Sequence, residues 1–217
     1  MNEITRRHFV SRAGTYALGG IGVGLLPGLA PASISSAQRT AAPAGSRRDW
    51  LALTTEPAIE PELPIIDPHH HLWDRSGNRY LLEELLEDIS EHNVRQTVFV
   101  ECSSMYRADG PEELRLVGET EFVQGVAAKS ASGQYGDTRV ATGIVGSADL
   151  RLGDRVVPVL EAQMAASPQR FRGVRHRAAW AEPPVVARRT AGPEHLLLDA
   201  EFRRGYAYLR TYGLSFE

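Results

Sequence analysis

The chain has 217 residues, of which 42% are apolar and 24% charged, which is enough for one sizeable hydrophobic core and too little for two large domains. The formal net charge is −3, so the composition provides no basic field for nucleic acid. The single cysteine, Cys102, excludes a disulfide framework within the chain, and its place in an apolar run predicts a buried thiol.

The first 37 residues carry a separate signal. Arg6 and Arg7 are followed by Phe9 and by an uncharged stretch, 13–37, that is rich in glycine and alanine. This segment resembles a twin-arginine export signal, which implies a periplasmic or secreted protein. A membrane anchor is the alternative, but the stretch is broken by two prolines and is poor for a span of roughly 20 strongly apolar residues. Residues 38–62 then read as a linker.

Three consecutive histidines follow the first apolar residues after this linker. Ile65 and Ile66 predict a short buried strand, which runs through Asp67 and Pro68 into the histidines 69–71. Successive side chains of an extended chain point to opposite faces. The sequence therefore predicts that the first and third histidines share one side, where they could grip one ion, while the second turns away as a structural residue.

Strands and helices alternate through the remaining residues, 63–217. Apolar spacing and turn residues predict these elements in chain order: a polar loop at 75–79, a helix at 80–92, a strand at 96–101, a helix starting at Asp109 or Gly110, a strand at 139–145, a helix at 154–166 capped by Asp154, a strand at 171–176, a long loop at 180–198, a helix at 199–212 and the beginning of a strand at 214–216.

Repeated strand–helix units predict a parallel sheet with helical crossovers. A complete (β/α)8 barrel takes roughly 250 residues. We therefore expect the amino-terminal half of a TIM barrel, with about four units and the start of a fifth, from a chain that is truncated at its carboxyl end. A doubly wound sheet is the alternative, yet no glycine-rich phosphate turn follows the first strand.

The first strand resembles that of the amidohydrolase-related proteins of the "amidohydrolase family 2" type, a group of metal-dependent TIM-barrel hydrolases that includes lactonases. The resemblance rests on the Asp-x-His-x-His-x-Trp pattern within residues 66–73. Further similarity lies in residues 143–146 with the following Asp149 and Leu150, in residues 171–176 and in residues 212–216.

The resemblance implies roles for several residues. His69 and His71 would hold a divalent ion, most often zinc, although some lactonases of this group work without metal and use such histidines to orient substrate. Arg175 would grip a substrate carboxylate or lactone oxygen, with His176 beside it. The fourth strand has no lysine to bridge two metals. The third metal histidine and the catalytic aspartate belong to the back half of the barrel, which the chain does not include.

The chemistry of the residues agrees with these roles. Imidazole suits zinc, but catalytic zinc usually takes three protein ligands and a water, so two histidines make an incomplete site. A guanidinium can hold a carboxylate by two parallel hydrogen bonds. Glu101 ends the second predicted strand, where it could contact a ligand or form a loop salt bridge, and Trp73 could shape the pocket mouth or simply pack.

Other polar residues are weaker candidates. Tyr106 and Arg107 lie in the loop after the second predicted strand, and His92 and His195 read as surface positions. The acidic run within 83–91 is most simply the solvated face of a helix.

Three functions remain open. The first is an exported hydrolase that acts on a lactone or related ester of a small acidic or sugar-derived substrate. The second is a truncated, non-catalytic half-barrel or a binding module, whose unpaired strand edges invite self-association into a homo-oligomer. The third is a decarboxylase that uses the same histidines. The expected partner is a small molecule, with no nucleic acid and no stable membrane span.

Overall fold

The computed structural model describes residues 53–54, 56–181 and 192–217. The chain divides into two units, Met1–Thr54 and Thr55–Glu217, and the fold given below is that of the second. The predicted export signal at 1–37 and most of the predicted linker at 38–62 lie outside the described residues.

The second unit alternates strands and helices. In chain order its elements are β1 (Ile65–His70), β2 (Trp73–Arg75), β3 (Asn78–Tyr80), α1 (Leu82–Asp88), β4 (Val94–Val100), α2 (Glu112–Arg115), α3 (Val117–Ala131), β5 (Arg139–Ser147), a 3-10 helix (Leu150–Val156), α4 (Val157–Ala166), β6 (Phe171–Arg175), a second 3-10 helix (Leu196–Leu198), α5 (Ala200–Tyr212) and β7 (Ser215–Phe216).

Five of these strands form one parallel sheet in the order β1-β4-β5-β6-β7. The strands lie side by side in the order of the chain, with no point at which the order reverses. A doubly wound sheet would need such a reversal, so the order excludes that alternative for the described residues. The prediction of the fold class is confirmed: the sheet is curled as a half-barrel, and the unit is a partial α/β barrel.

The core lies between this sheet and the helices that cross over it. Phe99, Ile144 and Val174 on successive strands are fully buried, as are Val123 of α3 and Leu160 of α4. Phe99 and Val100, whose side chains point to opposite faces of β4, are both buried, which explains the continuous apolar run of Val98–Val100. Truncation of Phe99 to alanine would cost about 3–5 kcal/mol in a core of this kind.

Two predicted segments differ from the structure near the histidines. The predicted polar loop at 75–79 is part of an antiparallel hairpin of β2 and β3, in which Trp73 pairs with Tyr80. Gly77 takes a φ of 71° in its turn, a conformation that glycine adopts without strain. The helix predicted at 80–92 is shorter in the structure, where it is α1, because residues 89–93 form the turn that precedes β4.

Two predicted helix starts are also wrong. Asp154 does not cap a helix, since a 3-10 helix begins earlier with Asp149 at its N-cap, where the side chain accepts from the N–H of Arg151. The helix expected from Asp109 or Gly110 begins at Glu112, with Pro111 at its N-cap. The ends of α5 agree better, because Asp199 caps its start and Gly213 takes the left-handed conformation at its end.

His70 is buried between β1 and its neighbours, as expected for the histidine that turns away from its two flanking residues. Its Nε2 lies 2.8 Å from Oγ1 of Thr97, which itself accepts from the N–H of Ala141 at 2.9 Å. Burial lowers the pKa of His70 to about 4. The side chain therefore stays neutral in the folded protein and ties β1 to β4 and β5.

The depressed pKa of His70 predicts a stability loss in acid. The unfolded chain binds a proton on this residue below about pH 6.5, whereas the folded protein does so only near pH 4, so the free energy of unfolding falls as the pH drops through this window. We expect His70→Asn to be about 1–3 kcal/mol less stable at pH 7 and to lose this part of the pH dependence. Urea unfolding at pH 7 and pH 4.5 measures both effects. His92→Asn, at an exposed position, is the matched control. If the free energy of unfolding of His70→Asn fell as much between pH 7 and pH 4.5 as that of the wild type, the account would be contradicted.

Candidate functional site

The charged and histidine side chains gather at one edge of the sheet. His69 and His71 lie at the end of β1, Glu101 follows β4, Arg175 ends β6 and Glu217 follows β7. These are the carboxyl ends of parallel strands, which meet at the same edge. The fold therefore brings together residues from four strands that lie up to 148 positions apart, His69 to Glu217.

The two outer histidines face each other. Nε2 of His69 lies 3.4 Å from Nε2 of His71, and the rings stand almost perpendicular, at 86°. The predicted alternation thus holds, although the parallel pairing of β1 shifts register between Asp67 and His70, around Pro68. Proline has no N–H for the ladder, and the Asp67 carboxylate accepts the N–H of His69 at 3.0 Å in this irregular stretch.

Each of these two rings is held through its other nitrogen. Nδ1 of His71 donates to the carbonyl of Val100 at 2.8 Å, and Nδ1 of His69 lies 3.3 Å from Oε1 of Glu217. A carbonyl accepts only, so a neutral His71 carries its proton on Nδ1 and presents a lone pair at Nε2. The orientation of both Nε2 atoms is therefore set by groups on β4 and after β7.

The surroundings of the pair decide its protonation state. Burial lowers the pKa of His71, an effect that the Val100 carbonyl partly offsets and that the His69 charge adds to. If both rings were neutral with their protons on Nδ1, two lone pairs would point at each other. A shared proton or a metal ion relieves that repulsion.

A buried carboxylate lies beside the pair. Glu101 is only 3% exposed, and its Oε1 lies 3.5 Å from Nη2 of Arg177 and 3.8 Å from Nε of Arg175. Arg175 also donates to the Glu101 carbonyl at 3.2 Å, and Ser103 donates to its carboxylate at 3.4 Å. Arg175 also lies 3.9 Å from Oε1 of Glu217, so the two guanidinium groups face two carboxylates, of which Glu101 is the buried one. Of the two predicted roles of Glu101, the structure shows the salt bridge.

Two adjoining cavities of about 550 and 420 Å³ open at this edge. Both are lined by Glu101, Arg175, His176 and Arg177. The larger extends over the ends of β5 and the first 3-10 helix to Asp149 and Arg151, and the smaller reaches His71 and Glu217. The volumes suit a small organic ligand, and the shared arginines suit an anionic one.

His176 is fixed in the wall between the two cavities. The N–H of Leu150 donates to its Nδ1 at 3.1 Å, and its ring packs edge-on against Phe202 at 5.3 Å. Burial lowers its pKa, which Asp149 partly offsets. The structure therefore places His176 next to Arg175, as the sequence predicts, in a largely neutral form at pH 7.

Two of the remaining candidates lie close to the smaller cavity. Cys102 lines it. Trp73 stacks on Tyr80 at 5.4 Å and donates to Asn78 at 3.1 Å within the hairpin, and its ring also lies 6.5 Å from that of His71. Arg107 forms an exposed ion pair with Glu121. Tyr106, His92 and His195 are exposed, and Cys102 is buried as predicted, with its thiol pKa raised to about 12 by burial.

Sequence reasoning missed three residues of this edge. Arg177 lies two positions after Arg175, and alternation would have placed both on one side. Glu217 directly follows a strand, as Glu101 does, and this position after a strand could have predicted it. Glu119 is a buried acid in α3, and its spacing with Val123 puts it on the apolar stripe of that helix.

The described residues contain no group of three or more histidine, cysteine, aspartate or glutamate side chains that could hold a metal ion. None of their helices is long and apolar enough to cross a membrane.

Comparison with known proteins does not support the family prediction. No family model matches the chain, and no solved structure matches it. A relative, "Uncharacterized protein y4mH" of Sinorhizobium fredii (strain NBRC 101917 / NGR234), is 28% identical over 186 residues, which cover 72% of this chain and 53% of the relative. The chain therefore spans about half the length of that protein. The assignment to the amidohydrolase-related family, made from the histidine motif and three further short segments, is wrong by these findings.

The position of Glu101 predicts a structural cost for removing its charge. Glu101→Gln leaves two guanidinium groups without their buried partner, and we expect a loss of about 1–3 kcal/mol in the free energy of unfolding. Glu113→Gln removes an exposed carboxylate of α2 and should stay within about 0.5 kcal/mol of the wild type. Urea denaturation compares the two, and equal stability of both variants would show that the Glu101 charge is not part of the scaffold.

Proposed function

We propose that this edge of the sheet binds a small ester or lactone that bears a carboxylate and hydrolyses it. The observation that carries the proposal is the facing pair of Nε2 atoms of His69 and His71, 3.4 Å apart, with both Nδ1 atoms engaged elsewhere. A catalytic base needs an available lone pair and a fixed ring, and His71 has both: its Nδ1 is held by the Val100 carbonyl, its Nε2 accepts no hydrogen bond from the backbone of the described residues, and its side chain lines the smaller cavity.

The reaction can proceed through these side chains. His71, with its lowered pKa, is neutral at pH 7 and takes a proton from a water molecule as the water oxygen forms a bond to the ester carbonyl carbon. The bond from that carbon to the leaving oxygen then breaks, and the imidazolium returns the proton to the leaving alkoxide. The products are a carboxylic acid and an alcohol, joined in one hydroxy acid when the substrate is a lactone.

A divalent ion such as zinc also fits the pair. Two nitrogen ligands at about 2.0–2.1 Å from one tetrahedral ion lie about 3.3–3.4 Å apart, as the two Nε2 atoms do. The Val100 carbonyl and Glu217 on the Nδ1 atoms match the outer hydrogen bonds that orient metal-binding histidines. When bound, such an ion supplies Lewis acidity to the scissile carbonyl. The two histidines would hold it, and metal-independent hydrolysis remains the alternative use of the same lone pairs.

The arginines select the substrate. Arg175 and Arg177 both line the two cavities, where Arg175 pairs with Glu101 and Glu217 and Arg177 pairs with Glu101. A substrate carboxylate that binds Arg177 would set the scissile bond near His71, which lines the smaller cavity.

Other predictions from the sequence stand untested beside this one. A decarboxylase would use the same histidines and arginines. A non-catalytic binding module or homo-oligomer would use the strand edges, since β1 and β7 are each paired on one side only among the described residues. Export through segment 1–37 is likewise a proposal.

Loss of the histidine pair tests the proposal. We expect His69→Ala and His71→Ala to lower hydrolysis at least about 100-fold, because general base catalysis contributes about 10²–10⁴ in rate. Proton release from a panel of carboxylated and neutral lactones, read with a pH indicator, measures turnover with and without added Zn²⁺. His92→Ala is the control at an exposed histidine. Turnover at the wild-type rate in both His69→Ala and His71→Ala would contradict the proposal.

Removal of an arginine tests the choice of substrate. Arg177→Gln should raise KM for a carboxylated lactone about tenfold or more, with little change for its neutral methyl ester, since a charge-assisted hydrogen bond contributes about 1.5–3 kcal/mol. Arg203→Gln, on the exposed face of α5, is the control. An equal effect on both substrates would mean that Arg177 does not bind the carboxylate.

A further inference from the structure

The loop between β4 and α2 has an unusual backbone. Ser103 and Met105 take φ values of 60° and 55°, in the left-handed region that side chains other than glycine rarely adopt. Each such residue costs about 1–3 kcal/mol unless its surroundings impose the conformation. Something must therefore hold this loop.

Glu119 of α3 contacts the loop from inside the protein. Its Oε1 accepts the N–H of Cys102 at 3.0 Å and the N–H of Ser104 at 2.8 Å. These two amides flank Ser103, so one carboxylate oxygen fixes the backbone on both sides of the first left-handed residue.

The buried state of Glu119 is costly. The residue is 1% exposed, its Oε2 has no hydrogen-bond partner among the described residues, and burial raises its pKa to about 7. Glu101 adds to this rise by its charge. A buried acid with one idle oxygen is a poor choice for stability alone, since an apolar residue would fill the same space without that desolvation.

The backbone of α3 also lies against this loop. A Cβ on Gly118 would come within 2.7 Å of the carbonyl of Met105 and of the nitrogen of Arg107, so the helix has no room for a side chain there. The N–H of Arg107 donates to the Arg115 carbonyl at 2.8 Å. The start of α3 and the loop thus form one packed unit with Glu119 at its centre.

The same loop carries two residues of the larger cavity. Glu101 comes directly before Cys102, the first residue that Glu119 holds, and its carboxylate faces Arg175 and Arg177. Ser103 lies between the two amides that bind Glu119 and donates to the Glu101 carboxylate. The position of both side chains depends on the backbone between 101 and 104.

We propose that Glu119 is a positioning residue, which holds the 101–105 loop so that Glu101 and Ser103 keep the two arginines of the cavity in place for an anionic ligand. Glu119 lies under the cavity wall and touches no substrate. The inference rests on the proposed function only where it concerns turnover. The effects of Glu119 on anion affinity and on the loop do not depend on whether the protein hydrolyses a lactone.

The test compares Glu119→Ala, Glu119→Gln and Glu121→Ala. Gln retains an oxygen that can accept both amide protons, and Glu121 is an exposed acid two residues along the same helix that binds the surface end of the loop through Arg107. We expect Glu119→Ala to weaken binding of succinate, measured by titration calorimetry, about tenfold, and to raise KM with kcat within about threefold. Glu119→Gln and Glu121→Ala should stay within about twofold of the wild type.

Amide hydrogen exchange separates this inference from the proposed function. Cys102 and Ser104 should lose protection in Glu119→Ala and keep it in the two other variants, whether or not the protein hydrolyses a lactone. If circular dichroism shows that Glu119→Ala does not fold, Glu119→Asp replaces it. Its shorter side chain keeps the negative charge but moves the carboxylate away from the two amides. Unchanged exchange and unchanged succinate affinity, or a Gln variant as impaired as the Ala variant, would overturn the inference. Absence of lactone turnover in the wild type, with these losses still present, would overturn the proposed function alone.

Discussion

The hydrogen bond from Nδ1 of His71 to the carbonyl of Val100 is the contact on which the site depends. It joins the end of β1 to the end of β4 where Pro68 has already disturbed the regular pairing of the two strands. Because the carbonyl can only accept, it also fixes the ring proton and directs the lone pair of Nε2 toward His69. Geometry and protonation of the pair therefore follow from one backbone group.

The charged side chains beside this pair are concentrated where the cavities open. Glu101 is buried against Arg175 and Arg177, and the more exposed Glu217 also lies near Arg175. The scaffold maintains this arrangement with a second buried acid, Glu119, which stabilises the strained loop that leads away from Glu101. Both acids are costly to bury, and both lie beside the cavity rather than in the apolar core between sheet and helices.

The sequence predicted the sheet better than it predicted the site. Apolar runs such as Val98–Val100 and the spacing of elements were sufficient for a parallel half-barrel, and alternation correctly separated His70 from its neighbours. Helix starts failed at Asp154 and Asp109, because a polar residue near a helix does not reveal which turn forms first. Glu217 and Glu119 needed the fold, since only sheet register brings residue 217 to residue 69 and only packing aims Glu119 at two amides. The family assignment failed because a short histidine pattern does not define a family without a matching family model or a characterised relative.

The proposed function depends on His69 and His71 being held through Nδ1, so that Nε2 of each ring is available for a proton or a metal ion. Nitrogen-15 NMR of the imidazole rings, recorded at pH 7.5 with and without Zn²⁺, tests it most directly. The account predicts a proton on Nδ1 of His71 in both spectra and a Zn²⁺-dependent shift of Nε2 in both rings. A proton on Nε2 of His71 in the free protein, or coordination of Zn²⁺ at Nδ1 with the proton moved to Nε2, would contradict it.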